Sequence, residues 1–296
     1  MAKQVWLEVA LNGPWGRRHQ PRIPVTADEI VADALACAEA GAAIVHFHAY
    51  DEETQRQRDD YEIYAPIIER IRAKADVICY PTIPFAGSTD SPKALSPAQR
   101  FEAVEKLLAA GLIEWAVVDP GSTNLAHKAA IATGREGFVY ANPEAHIRHG
   151  LRLAQAHGMT PSYAIYEPGF LRLGAALHRQ HPGAPVPVYR LMFSDGMAFG
   201  FPPAKWAVAA YLKLLRAEAT GAPWMIAGLE VDIEPLIPTA VRHGGHVRVG
   251  LEDAPLGTDA SNVDLARRAA GHIAQAGGNV AGTADVRAVL ASAATA

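Results

Sequence analysis

The sequence predicts an α/β fold of the (β/α)8 TIM barrel type, eight parallel strands each followed by a helix. Three observations carry this. The chain has 296 residues, half of them hydrophobic, a size normal for one such barrel. Short β-rich apolar runs alternate with longer helical patterns along its length, the signature of parallel β-α units. No G-x-G-x-x-G follows the first run, so the competing open, doubly wound sheet lacks its nucleotide fingerprint.

The predicted strands are 5–11 (VWLEVAL), 43–48 (AIVHFH), 77–80 (VICY), 115–118 (WAVV), 162–166 (SYAIY), 186–193 (VPVYRLMF), 224–229 (WMIAGL) and 246–251 (HVRVGL). Helix signals lie between them. Thr26-Ala27-Asp28-Glu29 reads as a capping box, and Gly41 closes that helix. Ser96-Pro97 reads as N-cap plus first-turn proline, with Gly111 at the far end. Asn142-Pro143 opens another helix that Gly158 ends, and Pro202-Pro203 precedes an amphipathic stretch over 204–219. No proline- or serine-rich linker divides the chain, so residues 1–296 are expected to form one barrel domain with an extra helix after Thr283.

The formal net charge of -4 and the absence of a Lys/Arg stripe argue against nucleic acid as a partner. The densest basic spot, Arg17-Arg18-His19, is too short for a nucleic-acid arm. No apolar run is long enough for a membrane span, and the first residues lack a signal-peptide layout. The two cysteines, Cys37 and Cys79, lie in apolar segments and fit reduced thiols, so a cytoplasmic protein is expected.

A barrel of this type places its chemistry at the C-terminal ends of the strands. At the end of the second run, "IVHFHAYD" (44–51) sets His46 and His48 on one side and Val45 and Phe47 on the other. Two neutral imidazoles so placed can reach one ion, although satisfied core histidines give the same pattern. In the eighth run, His246, Arg248, Gly250 and Glu252 share one face, and Val247, Val249 and Leu251 share the other. The uniformly apolar face belongs under the helices, so the polar face looks into the barrel. Strand eight lies close to strand two in a closed barrel, and Glu252 then completes a His-His-Glu set with an open position. That is a catalytic zinc pattern, also used by iron(II) and manganese. An Arg248 salt bridge would account for Glu252 without a metal, but not for two histidines.

Asp253 has two readings, a base tuned by Arg248 or the N-cap of the next helix. Glu167 after strand five is a further catalytic candidate or a loop stabiliser. Asn12, Trp15 and Arg17 on the first loop, and Thr82, Asp119, Ser122 and Asn124 after strands three and four, are candidate pocket residues or turn formers.

At these residues the chain resembles the β-keto acid cleavage enzymes, the family of 3-keto-5-aminohexanoate cleavage enzyme and its relatives. The most specific parts are "EAGAAIVHFHAYD" (39–51) and "GGHVRVGLED" (244–253); "PVTADEI", "YEIYAPIIERIR" and "SNVDLARRAA" extend the likeness over nearly the whole chain. The resemblance implies zinc on His46, His48 and Glu252, with Arg248 and Asp253 as the base dyad. It implies a β-keto acid and an acyl-CoA, usually acetyl-CoA, exchanged for acetoacetate and a new CoA thioester, and a homotetramer. This sequence departs from the family pattern at three places. Trp15 stands where members carry an acidic residue, Glu230-Val231 where they carry Gly-Arg, and Ala49-Tyr50 where an arginine often follows the histidines. Arg17 and Arg18 are the candidates to hold the CoA phosphates in compensation, or are solvated surface charges. Thr82, Ser122, Asn12 and Trp15 are the expected substrate contacts.

Two other functions fit the same barrel. One is a CoA-independent metal hydrolase or lyase. Amidohydrolases, however, place H-x-H after strand one and take further ligands from strands five and six, whose ends here, "IYEPG" and "MFSDG", contain no histidine. The other is a non-catalytic metabolite-binding barrel, which an open three-ligand site beside a base argues against.

Overall fold

The computed structural model describes residues 2–85 and 95–293. Its strands are β1 (Lys3–Val5), β2 (Leu7–Ala10), β3 (Ile44–Phe47), β4 (Ile78–Pro81), β5 (Trp115–Val117), β6 (Thr123–Leu125), β7 (Phe138–Tyr140), β8 (Thr160–Ile165), β9 (Val188–Phe193), β10 (Trp224–Gly228), β11 (His246–Val249) and β12 (Gly278–Val280). The helices are α1 (Ala27–Glu39), α2 (Tyr61–Arg72), α3 (Pro97–Ala109), α4 (Lys128–Ala132), α5 (Glu144–His157), α6 (Pro168–His178), α7 (Lys205–Glu218), α8 (Ile237–Arg242), α9 (Asn262–Gln275) and α10 (Thr283–Ala293).

Eight strands pair in the order β4-β3-β2-β11-β10-β9-β8-β5, with every pairing parallel. The result is a nearly closed (β/α)8 barrel in which β4 and β5 flank the remaining seam. Each predicted strand is present. The first is shorter than its apolar run, because the run divides at Trp6: Val5 pairs with Val280 of β12, and β2 alone enters the barrel.

The punctuation acts as expected. Thr26 caps α1 in a reciprocal box with Glu29, and Ser96 caps α3 with Gln99. Gly158 ends α5 in the left-handed conformation, φ 65°, which a glycine adopts without a Cβ penalty. The supernumerary helix is α10. No described helix is long and apolar enough to cross a membrane.

Face parity also holds. Val45, Phe47, Val247, Val249 and Leu251 are buried in the core between strands and helices, and the Phe47 ring packs 5.7 Å from Tyr64 of α2. Trp6 and His246 stack at 3.9 Å, and Trp6 meets Trp115 edge-on at 6.2 Å. The His246 Nδ1 accepts the Trp6 backbone N–H at 3.1 Å. Burial pushes that imidazole down to about 3, so it stays neutral. Of the polar residues predicted on this face, His246 therefore belongs to the packing.

Two features have no counterpart among the predicted strands: β12, which pairs with β1, and a hairpin. Between β5 and α5, strands β6 and β7 form an antiparallel pair with α4 between them. This hairpin supplies Leu125, His127, Phe138 and Tyr140 to the cavity that His46, His48 and Glu252 also line.

Candidate active site

The site begins where β3 and β11 end. His46 and His48 are buried, at 2% and 4% exposure, on the same side of their strand. The His46 Nε2 lies 3.5 Å from one Glu252 oxygen and the His48 Nε2 lies 3.5 Å from the other. One ligand atom from each of the three residues falls within 4.8 Å of the others. Two glycines permit this approach. Gly250 has φ 140°, and a Cβ there would stand 2.0 Å from the Ala10 carbonyl oxygen. Gly13 has φ 63°, and a Cβ there would meet Glu252 Cγ at 2.6 Å.

The histidines are oriented from behind. The His46 Nδ1 lies 3.2 Å from the Tyr80 carbonyl oxygen, and the His48 Nδ1 lies 2.8 Å from the Gln57 amide oxygen. Both partners accept, so each Nδ1 carries the hydrogen and each Nε2 presents its lone pair to Glu252. The Gln57 amide is itself fixed, because its N–H donates to Asp59 at 2.8 Å, and Asp59 also accepts from the Tyr64 hydroxyl at 2.7 Å.

Two imidazole lone pairs and a carboxylate facing one another at this range are suited to sharing a cation. His48 Nε2 and Glu252 Oε2 are buried atoms without a hydrogen-bond partner. Burial pulls His46 well below the ordinary imidazole value. Burial acts the same way on His48, but the Glu252 carboxylate outweighs it and the net direction is upward. Burial would raise Glu252, yet Arg248 and the two histidines hold it well below the usual carboxylate range. The barrel interior holds four carboxyl groups, Glu8, Asp119, Glu252 and Asp253, and two guanidiniums, Arg190 and Arg248. The donor set of two imidazoles and a carboxylate fits a divalent cation.

Arg248 is the hub beneath the ligands. Its Nε and one terminal nitrogen fork onto both Asp253 oxygens at 2.8 and 2.9 Å. The same guanidinium reaches Glu252 at 3.0 Å and Glu8 at 2.9 Å. Asp253 is 2% exposed. Burial pushes its carboxyl up to about 6 against the lowering effect of Arg248. Its helix-cap reading is removed, because Ser261 caps α9 in a box with Asp264.

The other candidates separate by what their polar atoms already do. Trp15 and Thr82 lie on the cavity wall, and the Trp15 indole N–H donates to the Glu252 carbonyl at 2.7 Å. Asn12 does not meet the cavity. It is fully buried, its amide donates to the Pro24 and His48 carbonyls, and its oxygen accepts the His48 N–H. It latches the histidine strand to the first loop. Ser122 is turned to the Asn142 backbone N–H at 2.8 Å. Glu167 precedes α6 and accepts from the Thr123 hydroxyl at 3.3 Å, off the cavity wall. Arg17 pairs with Glu29 at 2.5 Å, reinforcing the α1 cap, and Arg18 is exposed to solvent away from the wall.

Two residues outside the sequence candidates belong to the site. Gln57 sits in "DEETQRQRDD", where nothing local marks it. Arg190 is a lone charge inside the apolar run "VPVYRLMF", and that misfit was a readable signal. It is 3% exposed and lies 3.6 Å from Asp119. Asp119 accepts from the Tyr140 hydroxyl at 2.6 Å and the Ala164 N–H at 2.8 Å.

His46, His48 and Glu252, with Trp15, Thr82, Asp119 and Arg190, open onto a cavity of about 590 Å³; Asp253 lies behind them, against a separate pocket with Val231 and Arg268. A neighbouring groove of about 750 Å³ shares Trp15, Phe85 and Phe138 with it but contains none of the ligands. The chemistry lies in the smaller space.

The relay behind His48 gives a direct prediction. Gln57→Leu removes the acceptor that fixes the Nδ1–H tautomer and should weaken metal binding by roughly 10–100-fold, the usual effect of a group orienting a ligand. Competition with a chelator measures it. Unchanged affinity would reduce Gln57 to a loop residue.

Comparison with known proteins agrees with this geometry. The chain is 27% identical over 240 residues to 3-keto-5-aminohexanoate cleavage enzyme of Fusobacterium nucleatum, spanning 80% of this chain and 77% of that one. It is 26% identical to 3-dehydrocarnitine:acetyl-CoA trimethylamine transferase of Rhizobium meliloti, over 97% of this chain and 96% of the relative. It is 27% identical to 3-oxoadipate:acetyl-CoA acetyltransferase of Cupriavidus necator, over 98% and 95%. Among solved structures, ObcA in binary complex with oxaloacetate superposes with a TM-score of 0.74 at 16% identity, covering 92% of this chain and 67% of that one; this likeness is one of fold. The sequence model of the beta-keto acid cleavage enzymes matches residues 4–291, and the chain belongs to that family.

Proposed function

We propose that the protein is a zinc-dependent β-keto acid cleavage enzyme that condenses a β-keto acid with acetyl-CoA and releases acetoacetate and a new acyl-CoA. The observation that carries this is the pairing of functions on adjacent residues at one strand end. Glu252 completes an open three-ligand set, and Asp253, on the Arg248 fork, supplies a carboxylate with no role in that set. A bound Zn2+ would act as a Lewis acid toward the keto and carboxylate oxygens of the acid.

The chain's own residues do the rest. The fork on Arg248 orients Asp253, and a carboxyl raised to about 6 is ionised yet usefully basic near neutral pH. Asp253 takes a proton from the carbon between keto and carboxylate groups. That carbon then bonds to the acetyl carbonyl carbon and displaces CoA thiolate. The thiolate adds to the original keto carbon, the bond from that carbon to the former α-carbon breaks, and the α-carbon takes back the proton held by Asp253. Acetoacetate leaves with the acetyl group, and the original acyl group departs on CoA. Trp15 and the β6–β7 hairpin wall the cavity against water.

A CoA-independent hydrolase or lyase is the second reading. One observation favours it: Arg17, a candidate for the CoA phosphates, is engaged by Glu29. The deciding experiment incubates the zinc-loaded protein with a panel of β-keto acids, with and without acetyl-CoA, and follows acetoacetate. Release that depends on the thioester is expected. Cleavage proceeding equally well without it rejects the condensation and promotes the second reading.

A further inference from the structure

Apart from the metal ligands, Arg190 is the one buried ion on the cavity wall, among the described residues, with hydrogen-bonding capacity left over. Its Nε is buried without a partner, and its contact with Asp119, at 3.6 Å, is longer than a hydrogen bond. Asp119 is already engaged through both oxygens by Tyr140, Ala164 and this arginine. A guanidinium that lines a cavity and keeps an unpaired N–H is suited to a carboxylate.

The wall beyond it is of the opposite character. Trp15, Leu125, Phe138, Tyr140, Met197 and Leu229 line the space. Their polar atoms are turned away from a ligand: the Trp15 N–H bonds the Glu252 carbonyl, and the Tyr140 hydroxyl bonds Asp119. Both therefore present ring faces. The charged residues at the rim, Arg135 and Glu136, are adjacent, opposite in sign and exposed. Glu230, next to Leu229 but off the wall, lies 3.4 Å from His127. A charged tail carried into this space would lose its water, and the buried ions of the wall, Arg190 and Asp119, already face each other.

We propose that Arg190 receives the carboxylate of the acid and that the wall selects an uncharged alkyl or aromatic tail, so the substrate is a monoanionic, apolar-tailed β-keto acid. This rests on the functional reading above and names its substrate class.

The test titrates zinc-loaded protein calorimetrically, without CoA, with four 3-oxo acids of matched length ending in alkyl, phenyl, carboxylate or ammonium. The alkyl and phenyl acids are expected to bind at least about tenfold more tightly than either charged one, the scale of discrimination an apolar pocket provides. Arg190→Gln should weaken all four by a similar factor and raise KM more than it lowers kcat, with metal content unchanged; Arg190→Lys should restore part of the loss. Phe138→Lys, on the half-buried hairpin, should shift preference to the carboxylate-ended acid, and it carries the test if Arg190→Gln fails to fold. Tightest binding of a charged-ended acid overturns the inference, with the ammonium acid pointing to Glu230 as its partner. Unchanged affinity in folded Arg190→Gln, or no binding of any acid, overturns it as well. The two readings fail separately. Selective binding of apolar-tailed acids with no acetyl-CoA-dependent turnover rejects the condensation alone, and turnover favouring a charged tail rejects the tail assignment alone.

Discussion

Glu252→Ala will leave the barrel folded and remove its metal. Wild-type protein should retain about one ion per chain after dialysis, the stoichiometry of a three-ligand catalytic site. The variant loses one of three ligands and the only charged one. Both the coordination and the electrostatic attraction then fall. The drop in affinity should exceed the roughly 10–100-fold expected of a group that merely orients a ligand. Folding should survive because Arg248 keeps Glu8 and Asp253 as partners and the removed side chain borders the cavity rather than packed core. His46→Ala should behave alike. Metal analysis with circular dichroism checks both, and full occupancy in the two folded variants would sink the site assignment.

Much of this was legible in the chain because strand parity has a period of two and the helix side of the sheet admits no charge. Val247, Val249 and Leu251 declare one face of the last strand, and that alone turns Arg248 and Glu252 inward. Caps are equally local: Thr26 with Glu29 and Ser96 with Gln99 each need only a three-residue spacing. The loops carry no such period. Asn12, Ser122, Glu167 and Arg17 have the right residue types at the right strand ends, but each binds backbone or a neighbouring side chain. Whether a loop side chain faces the barrel axis or its own backbone depends on contacts distant in sequence. The same holds for Trp6, where β12 claims Val5 from the first run. Gln57 is invisible for that reason too, since its role exists only once His48 lies beside it.

One departure from the family pattern acquires a physical cost. Glu230 stands where the resemblance places a glycine, and its φ is 57°. A left-handed conformation at a residue with a Cβ costs roughly 1–2 kcal/mol. The chain keeps the turn and adds a carboxyl group to it, which burial holds above the usual carboxylate range. Strain retained beside His127, which lines the cavity, is more readily explained by function than by stability.

Asp253→Asn should keep the metal and the acid while losing turnover by roughly 10²-fold or more, the usual consequence of removing a general base. The substitution is close to isosteric, and the Asn side-chain oxygen still accepts one bond from Arg248. The second arm of the fork faces an amide N–H and is lost. Arg248 retains Glu8 at 2.9 Å and Glu252 at 3.0 Å, so the ligand carboxylate stays oriented. That division makes the experiment discriminating. If Asp253 served only to brace Arg248, Asn would disturb Glu252 through it, and metal content would fall with activity. If Asp253 is the base, metal content and the affinity for the keto acid stay near wild type and kcat alone collapses. Arg248→Lys provides the contrast, because a lysine cannot span three carboxylates and should lower metal retention and kcat together. Near-normal turnover in metal-replete Asp253→Asn would exclude this carboxylate as the base, leaving it as a buried partner of Arg248.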